Sequence, residues 1–579
     1  MVGRLLVTTA LTETLGVSEP ILFLGEWCLQ YDRRELLKAR DYQIVSYHWD
    51  DREKLKNDYV MLTNTYEALL KKSSSKLNKV HGVNRSVRYW RIVIGPWLAY
   101  FIHIVFDRYE CLNRALSQYD VSHTVLIQRP NKLVLSDMSQ LSNLYLGDDW
   151  NHQIIGRMLE MLKPSLCVTQ QAPPLDLHPR SPSFTIKSRL RKYVSKIAKS
   201  FVSNKDGYMV STYLPQLDEL MLQLKLGQFP QFRFQQEIEC YSPEAQCRDW
   251  SLQEEVQTEF EEILCKLIPE QMPTAYLEGY ATIVNSLDKS GLPVHPSFIW
   301  TSNSHFTDDL FKIWSADKIE KGCPLAIGQH GGAYGMCAFS FLEDHENSIC
   351  DAYFSWGWND AERTDILPLG QLKRKKPLGV DHTSKESALL ITGVLPRYTH
   401  WLHSVAIGRQ WLDYFEDQCA FITALPVEVR HAFTVRLYPI DYGWSQEQRW
   451  MDRFPAQSID RGKGPIDKQL QASRLVVSTY NATSYLETIA MGIPTVMFWN
   501  ESHWELRASA ETYFEKLKEV GIFHNSPESA ADHVAMIWDN VDAWWGSDSV
   551  QEVLEEFRSE FCADSNLNKI HEALVTLSR

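Results

Sequence analysis

Residues 478–487 place small hydroxyl side chains and one carboxylate in a turn and at the start of a helix. The turn follows the apolar run 475–478, which predicts a strand, and precedes a helix predicted over 483–491. Backbone N–H groups and the helix dipole favour a phosphate at such a position. The side chains predicted to bind it are Ser478, Thr479, Thr483 and Ser484.

Glu487 lies one turn into the same helix. Its carboxylate can accept hydrogen bonds from both hydroxyls of a ribose while the helix start binds the phosphate. The pair Ser484-x-x-Glu487 also matches a capping box, so a purely structural role is the alternative. Residues 490–494, Ala-Met-Gly-Ile-Pro, complete a longer strand–turn–helix–strand pattern, which favours the binding role.

A second turn, 328–332, contains a histidine between a predicted strand and two glycines. Glycines let a ligand approach the backbone closely, so His330 is predicted to be catalytic. Its neighbours Gln329 and Gly331 are predicted to bind the molecule that carries the phosphate and the ribose, which is called the donor below. A lone histidine is more commonly a structural hydrogen-bonding residue, but the glycine-rich turn at a strand end favours a site.

Three acids follow the first three predicted strands, at 4–8, 21–25 and 43–47. A transfer to a hydroxyl needs a group that removes its proton, and carboxylates can do this. The candidates, in order, are Glu26, Glu13 and Asp51. For each of them a helix N-cap or a salt bridge is the alternative.

Arg436 lies in a predicted strand over 433–438 that Pro439 ends. A guanidinium at this edge can bind a donor phosphate through two parallel hydrogen bonds. An ion pair with a neighbouring carboxylate is an equal alternative.

The elements that must position these residues alternate between strands and helices, which predicts an α/β protein with parallel, doubly wound sheets. At 579 residues the chain is too long for one hydrophobic core. We predict an N-terminal domain over 1–370 that is enlarged by long helices. A polar linker over 371–387 and a C-terminal, donor-binding domain over 388–579 follow it.

Composition excludes several classes of function. With 59 basic and 73 acidic residues the net charge is −14, which gives no support to nucleic-acid binding. No Asp-x-Asp pair and no P-loop motif is present, so neither a metal nor another cofactor is predicted.

Residues 177–205 contain eight Lys or Arg and no acid. Within this basic segment, 187–202 has the pattern of a basic amphipathic helix. No signal peptide is visible, so we expect a cytoplasmic protein that contacts the anionic inner leaflet of the membrane through 187–202.

Residues 475–499 resemble the donor-binding half of GT-B glycosyltransferases. The turn 329–335, followed by Asp351-Ala-Tyr-Phe-Ser-Trp-Gly357, resembles a segment of surface-polysaccharide glycosyltransferases and glycerol-phosphate transferases. Segments 23–28, 48–52, 88–97 and 436–444 resemble a transferase family of bacterial O-antigen and capsule loci.

The resemblance implies two Rossmann-like domains of GT-B type and a metal-independent glycosyltransferase. Its donor would be a nucleotide-sugar, with a CMP-linked acidic sugar as one choice, and its acceptor a glycan or a lipid-linked glycan of lipopolysaccharide, O-antigen or capsule. Tyr438-Pro439 stands where CMP-sugar enzymes of this form often have His-Pro. A CDP-alditol phosphotransferase of the same fold and a non-catalytic component of a polysaccharide assembly complex are the alternatives.

Overall fold

The computed structural model describes residues 3–175, 203, 205–230, 238–252, 257–373 and 381–579. The predicted basic segment therefore lies almost wholly outside the described residues. In the described part, the strands form three sheets, and every pair of neighbouring strands is parallel. The α/β class with parallel sheets is confirmed.

The first sheet has the order β3-β2-β1-β4-β5. Its strands are β1 (Arg4–Val7), β2 (Ile21–Phe23), β3 (Tyr42–Ile44), β4 (Val121–Gln128) and β5 (Cys167–Gln171). The second sheet has the sequential order β10-β9-β8-β7-β6. Its strands are β6 (Tyr208–Val210), β7 (Ile299–Thr301), β8 (Leu325–Gly328), β9 (Ala352–Ser355) and β10 (Ile366–Pro368).

The third sheet has the order β13-β12-β11-β14-β15-β16, with its strand order reversing between β11 and β14. Its strands are β11 (Ser387–Ile391), β12 (Phe433–Arg436), β13 (Ser458–Asp460), β14 (Ser473–Ser478), β15 (Thr495–Phe498) and β16 (Phe523–His524). This is the dinucleotide-fold order, in which ligands bind beyond the carboxyl ends of the strands at the reversal.

Helices cover and connect these sheets. Around the first sheet are α1 (Arg34–Leu37), α2 (Arg52–His81), α3 (Val87–Gln118), α4 (Leu141–Tyr145) and α5 (Asp148–Leu162). Between β6 and β9 are α6 (Gln216–Lys225), α7 (Ala245–Arg248), α8 (Glu259–Gln271), α9 (Tyr280–Ser290), α10 (Ser304–Thr307), α11 (Asp309–Glu320) and α12 (Phe341–Ile349).

The remaining helices follow β11. They are α13 (Gln410–Ala424), α14 (Val427–Ala432), α15 (Gln446–Arg453), α16 (Asp467–Ala472), α17 (Thr483–Ala490), α18 (Ala508–Glu519), α19 (Pro527–Ile537), α20 (Val541–Trp545), α21 (Asp548–Phe561) and α22 (Leu567–Leu577).

Helix α3 is the one described helix long and apolar enough to cross a membrane. Because 94% of its most apolar window is buried inside the protein, it is a core helix, as its Gly95-Pro96 break and its histidine predict. Its partner α2 begins at the N-cap Asp51 and ends at Gly82, which has a φ of +63°.

The part predicted as one N-terminal domain contains two of the three sheets. Residues of the predicted linker are not all polar connectors: Leu372 is fully buried against the second sheet, and Gln371 N–H donates to the Ala563 carbonyl at 2.7 Å. The last helix, α22, returns to the same apolar cluster through Ile570 and Leu574. The second sheet is thus completed by residues from the C-terminal end.

Partly buried polar contacts join the first sheet to the third. Arg52, the first residue of α2, donates to both carboxylate oxygens of Glu505 at 2.8 Å and to the Val405 carbonyl at 3.1 Å. A pair held by several hydrogen bonds and shielded from water is worth more than an exposed ion pair. These contacts fix the first sheet against the third.

Candidate functional site

The turn after β8 and the start of α17 touch each other. Gly332 N–H donates to the Thr483 hydroxyl at 2.9 Å. A Cβ added at Gly332 would lie 2.4 Å from the carbonyl carbon and oxygen of Ala482, so only glycine allows this approach. The two turns that sequence reasoning selected therefore form one junction, although Gly332 and Thr483 are 151 residues apart, and Gly331 lies beside Thr483.

Gln329 shapes the turn. It is fully buried, and its carboxamide oxygen accepts from Trp356 N–H and from the Trp358 indole, both at 2.9 Å. Its amide group donates to the Gly331 carbonyl at 2.8 Å. Since its polar atoms are used within the protein, Gln329 supports the turn and does not itself face a donor.

His330 lies at the surface of this junction, with 25% of its side chain exposed. Its Nδ1 lies 3.6 Å from Glu346 Oε1, and its Nε2 lies 3.4 Å from the Tyr334 hydroxyl. The ring stacks on Tyr213 with a centroid distance of 6.2 Å. Burial lowers the pKa of His330 below its ordinary value, and the Glu346 carboxylate opposes this. The imidazole is therefore neutral near pH 7 and can accept a proton.

Glu487 faces the same place from α17. Its Oε1 lies 3.7 Å from the Lys373 Nζ, and 14% of its side chain is exposed. Lys373 Nζ in turn lies 5.1 Å from the centroid of the Tyr213 ring. One acid, one cation and one aromatic face thus meet beside His330.

The capping explanation of Glu487 is wrong. The N-cap of α17 is Ala482, whose side chain has no polar group that could cap the helix. Ser484 lies inside the first turn instead, where its hydroxyl is 3.2 Å from that of Ser478. A capping box needs its serine at the N-cap, so the position of Glu487 needs another explanation.

Ser478 and Thr479 are fully buried. The Thr479 hydroxyl is 2.5 Å from the Tyr414 hydroxyl and donates to the Ile391 carbonyl at 3.0 Å. These two residues tie β14 to its neighbours, whereas Thr483 and Ser484 are only partly buried. Of the four predicted hydroxyl side chains, Thr483 and Ser484 are therefore the two that a ligand could reach.

Arg436 is held by the third sheet itself. Its guanidinium pairs with Asp460 and donates to Gln469 Oε1 at 2.6 Å and to the Gly464 carbonyl at 2.5 Å. This is the ion pair that the sequence offered as the alternative to phosphate binding. Its position at the carboxyl end of β12 is as predicted.

The three predicted acids lie around the first sheet. Asp51 caps α2 by accepting from Lys54 N–H at 3.0 Å, Glu13 lies 3.8 Å from Arg129, and Glu26 lies 3.5 Å from Arg409. Burial raises the pKa of Glu26, and Arg409 opposes this. In the part of the chain described, no contact joins any of these acids to His330 or to residues 478–487.

The crevice of the first sheet is filled by the protein itself. Asp148, at the start of α5, accepts from Ala10 N–H at 3.1 Å. It also accepts from Arg397 at 2.8 Å and from the Tyr398 hydroxyl at 2.6 Å, both from the loop after β11. The strand reversal between β1 and β4 is therefore an interface between two parts of the chain.

Sequence reasoning missed Tyr213, Lys373 and Glu346. Two residues near His330, Tyr213 and Ala333, are non-glycines with φ of +64° and +71°. Backbone held in this region is costly and clusters at functional sites. The one sequence signal for the cation is the basic run 373–376, and it falls within the predicted linker 371–387.

Among described residues, one group has metal-ligand types within reach of one another: His48, Asp107 and Cys111. Asp107 is already paired with Arg108 and accepts from the Tyr47 hydroxyl at 2.8 Å. Burial raises the pKa of the Cys111 thiol well above its ordinary value, so it stays protonated. This group does not suit a metal ion.

A model of the LIC12162 family transferases matches residues 4–577. No curated protein matches the chain at a significant level. Solved structures with low similarity include a mutant O-GlcNAc transferase of Thermobaculum terrenum, with 11% identity over 85% of this chain and 91% of that chain and a TM-score of 0.33.

MurG of Acinetobacter baumannii is 9% identical over 78% of this chain and 99% of that chain, with a TM-score of 0.31. WaaG, a glycosyltransferase involved in lipopolysaccharide biosynthesis, is 12% identical over 51% and 95%, with a TM-score of 0.29. Structural similarity this low does not identify a shared activity.

Proposed function

We propose, for a chain that belongs to the LIC12162 family of transferases, that it is a glycosyltransferase of GT-B type that uses a nucleotide-sugar donor. The observation that carries the proposal is the junction of Gly332 with Thr483, with Lys373 and Glu487 beside His330. It supplies a helix start and a cation for phosphate, a carboxylate for ribose hydroxyls and a neutral imidazole for a proton.

The reaction uses these groups in the following way. The acceptor hydroxyl oxygen forms a bond to the anomeric carbon, and its proton moves to His330 Nε2. The bond from the anomeric carbon to the donor phosphate breaks, and its electron pair leaves on the phosphate oxygen. Lys373 and the N–H groups at the start of α17 stabilise that charge.

The donor class is tested by calorimetry against CMP-, UDP-, GDP- and CDP-linked donors. Binding of one class supports the proposal, and no binding by any donor favours a non-catalytic component.

Mass spectrometry of the product separates the transferase from a CDP-alditol phosphotransferase, whose product retains the phosphate. A CMP-linked acidic sugar is one of these donors, and Lys373 offers one cation to a sugar carboxylate or a phosphate.

Replacing Glu487 by glutamine should weaken donor binding at least about tenfold, or about 1.4 kcal/mol. The side chain keeps its size but loses the negative charge with which it accepts hydrogen bonds from two ribose hydroxyls. Calorimetric titration with the donor measures the change. The matched control is Glu556→Gln. This change removes the carboxylate of an exposed ion pair in which Lys516 of α18 contacts Glu556 of α21. Equal donor affinity in Glu487→Gln and wild type would remove Glu487 from the site.

Chelation with EDTA should leave turnover unchanged, because Lys373 and the N–H groups at the start of α17 supply the charge stabilisation that a metal would otherwise provide. The measurement is the initial rate with and without EDTA, followed by readdition of Mg²⁺ or Mn²⁺. A strict requirement for either ion would contradict the metal-independent part of the proposal.

The acceptor and the location also belong to the proposal. A surface glycan or its lipid-linked form as acceptor, a cytoplasmic location and contact with the inner leaflet through 187–202 are supported by the sequence pattern alone.

A further inference from the structure

A buried carboxylate lies directly behind His330. Glu346, on α12, is fully buried. Its Oε1 accepts from the Tyr334 hydroxyl at 2.9 Å, and its Oε2 accepts from the Tyr353 hydroxyl at 3.2 Å. His305 Nε2 lies 3.3 Å and His330 Nδ1 lies 3.6 Å from Oε1. Two tyrosines and two imidazoles thus surround one carboxylate.

Within the described ranges, no Arg or Lys nitrogen lies within ion-pair distance of Glu346. A buried carboxylate without a cation is costly, and each additional favourable charge nearby reduces that cost. The groups that can provide such a charge are the two imidazoles. Of these, only His330 reaches the junction at which a ligand could bind.

The geometry of His330 also points to Glu346. Its Nδ1 is buried, and no described residue gives it a hydrogen bond of ordinary geometry. An N–H on Nδ1 directed at Glu346 leaves the lone pair of the ring on Nε2, which lies 3.4 Å from the Tyr334 hydroxyl. Because that hydroxyl donates its proton to Glu346 Oε1, the Nε2 lone pair stays free to receive a proton in the proposed reaction. Contacts of catalytic groups are often long in the absence of substrate and shorten in its complex.

We propose that Glu346 is a positioning residue that fixes the orientation of the His330 imidazole and stabilises the imidazolium formed when the acceptor hydroxyl loses its proton. The inference rests on the proposed function for the identity of the reaction. The coupling between Glu346 and His330 is a property of the protein alone and can be measured without any donor.

The sign of the effect follows from the groups that face His330. Burial lowers its pKa and the Glu346 carboxylate raises it. Among the remaining groups, the charges of His305 and Lys373 lower it, and the Ser302 carbonyl raises it. The hydroxyl of Tyr334 and the ring of Tyr213 complete the contacts. Removing the charge of Glu346 should therefore lower the pKa of His330 further.

The test is Glu346→Gln, followed by NMR titration of the histidine ring signals without donor, with His330 assigned by its loss in His330→Asn. We expect the His330 titration to move to lower pH. In turnover, kcat should fall at least about tenfold with donor KM little changed, and the acidic limb of the pH profile should move to lower pH. The control is Glu343→Gln, a buried carboxylate one turn earlier on α12 that pairs with Arg507 at 2.7 Å. This change should leave the His330 titration in place.

An unmoved His330 titration in folded Glu346→Gln would overturn the proposal and leave Glu346 a purely structural residue. If this variant does not fold, Glu346→Asp replaces it, because the shorter side chain withdraws the carboxylate from Nδ1 while keeping the charge. Its His330 titration should move in the same direction, and an unmoved one overturns the proposal. A shifted titration in a protein that binds no donor would refute the proposed function while the Glu346–His330 coupling stands.

Discussion

Replacing His330 by asparagine should lower kcat at least about 100-fold, because a positioned general base contributes about two to four orders of magnitude. Asparagine keeps a polar side chain in the turn but cannot take a proton near pH 7. Donor affinity should change less than about twofold, since the helix start, Lys373 and Glu487 remain in place. Steady-state kinetics and donor calorimetry measure the two effects separately.

The control for this variant is His81→Asn. His81 is partly buried between α2 and its neighbours and stacks with Tyr280 at a centroid distance of 4.3 Å. Its loss should leave kcat in the wild-type range and at most lower the melting temperature. A His330→Asn enzyme with wild-type kcat would show that His330 is not the base.

Replacing Gly332 by alanine should abolish measurable donor binding and lower the free energy of unfolding by about 3 kcal/mol. The added Cβ would lie 2.4 Å from the carbonyl of Ala482, and backbone atoms cannot move aside as the end of a flexible side chain can. The turn must therefore separate from the start of α17. Donor calorimetry and urea unfolding measure the two losses.

The neighbouring glycine provides the matched control. Among the described residues, a Cβ at Gly331 would meet the Thr483 hydroxyl alone, at 3.3 Å, and a small side-chain rotation relieves this contact. Gly331→Ala should therefore keep most of its stability, with the turn still in contact with the start of α17. Equal behaviour of the two alanine variants would show that close approach at Gly332 does not hold the junction together.

Much of the local structure could be predicted from the sequence. Apolar runs bounded by polar residues correctly placed strands of all three sheets, including β8, β12 and β14, to within a few residues. The local pattern of residues 401–416 is typical of one helix, but α13 begins only at Gln410. Residues 402–404, which precede α13, pair with the segment between β8 and α12 through a bridge of Ser340 with His403. This tertiary contact outweighs the local preference of these residues for a helix.

The site could be predicted only in part. His330, Gly331, Thr483 and Glu487 were found because glycine-rich and hydroxyl-rich turns at strand ends have a local signature. Lys373 and Tyr213 come from positions with no such signature and reach the site only through the packing of the second sheet. Glu346 is a helix residue whose partners are brought together by three different segments.

The sequence by itself determined that the chain is an α/β protein and that two turns, around His330 and Thr483, end parallel strands. It did so because side-chain periodicity and glycine content act over short stretches of chain. Only the tertiary structure decided that the described strands form three sheets, that the acids after β1, β2 and β3 lie apart from His330, and that the two turns touch at Gly332. Which strand ends meet depends on the burial of apolar surface between segments far apart in sequence. No local pattern encodes that choice.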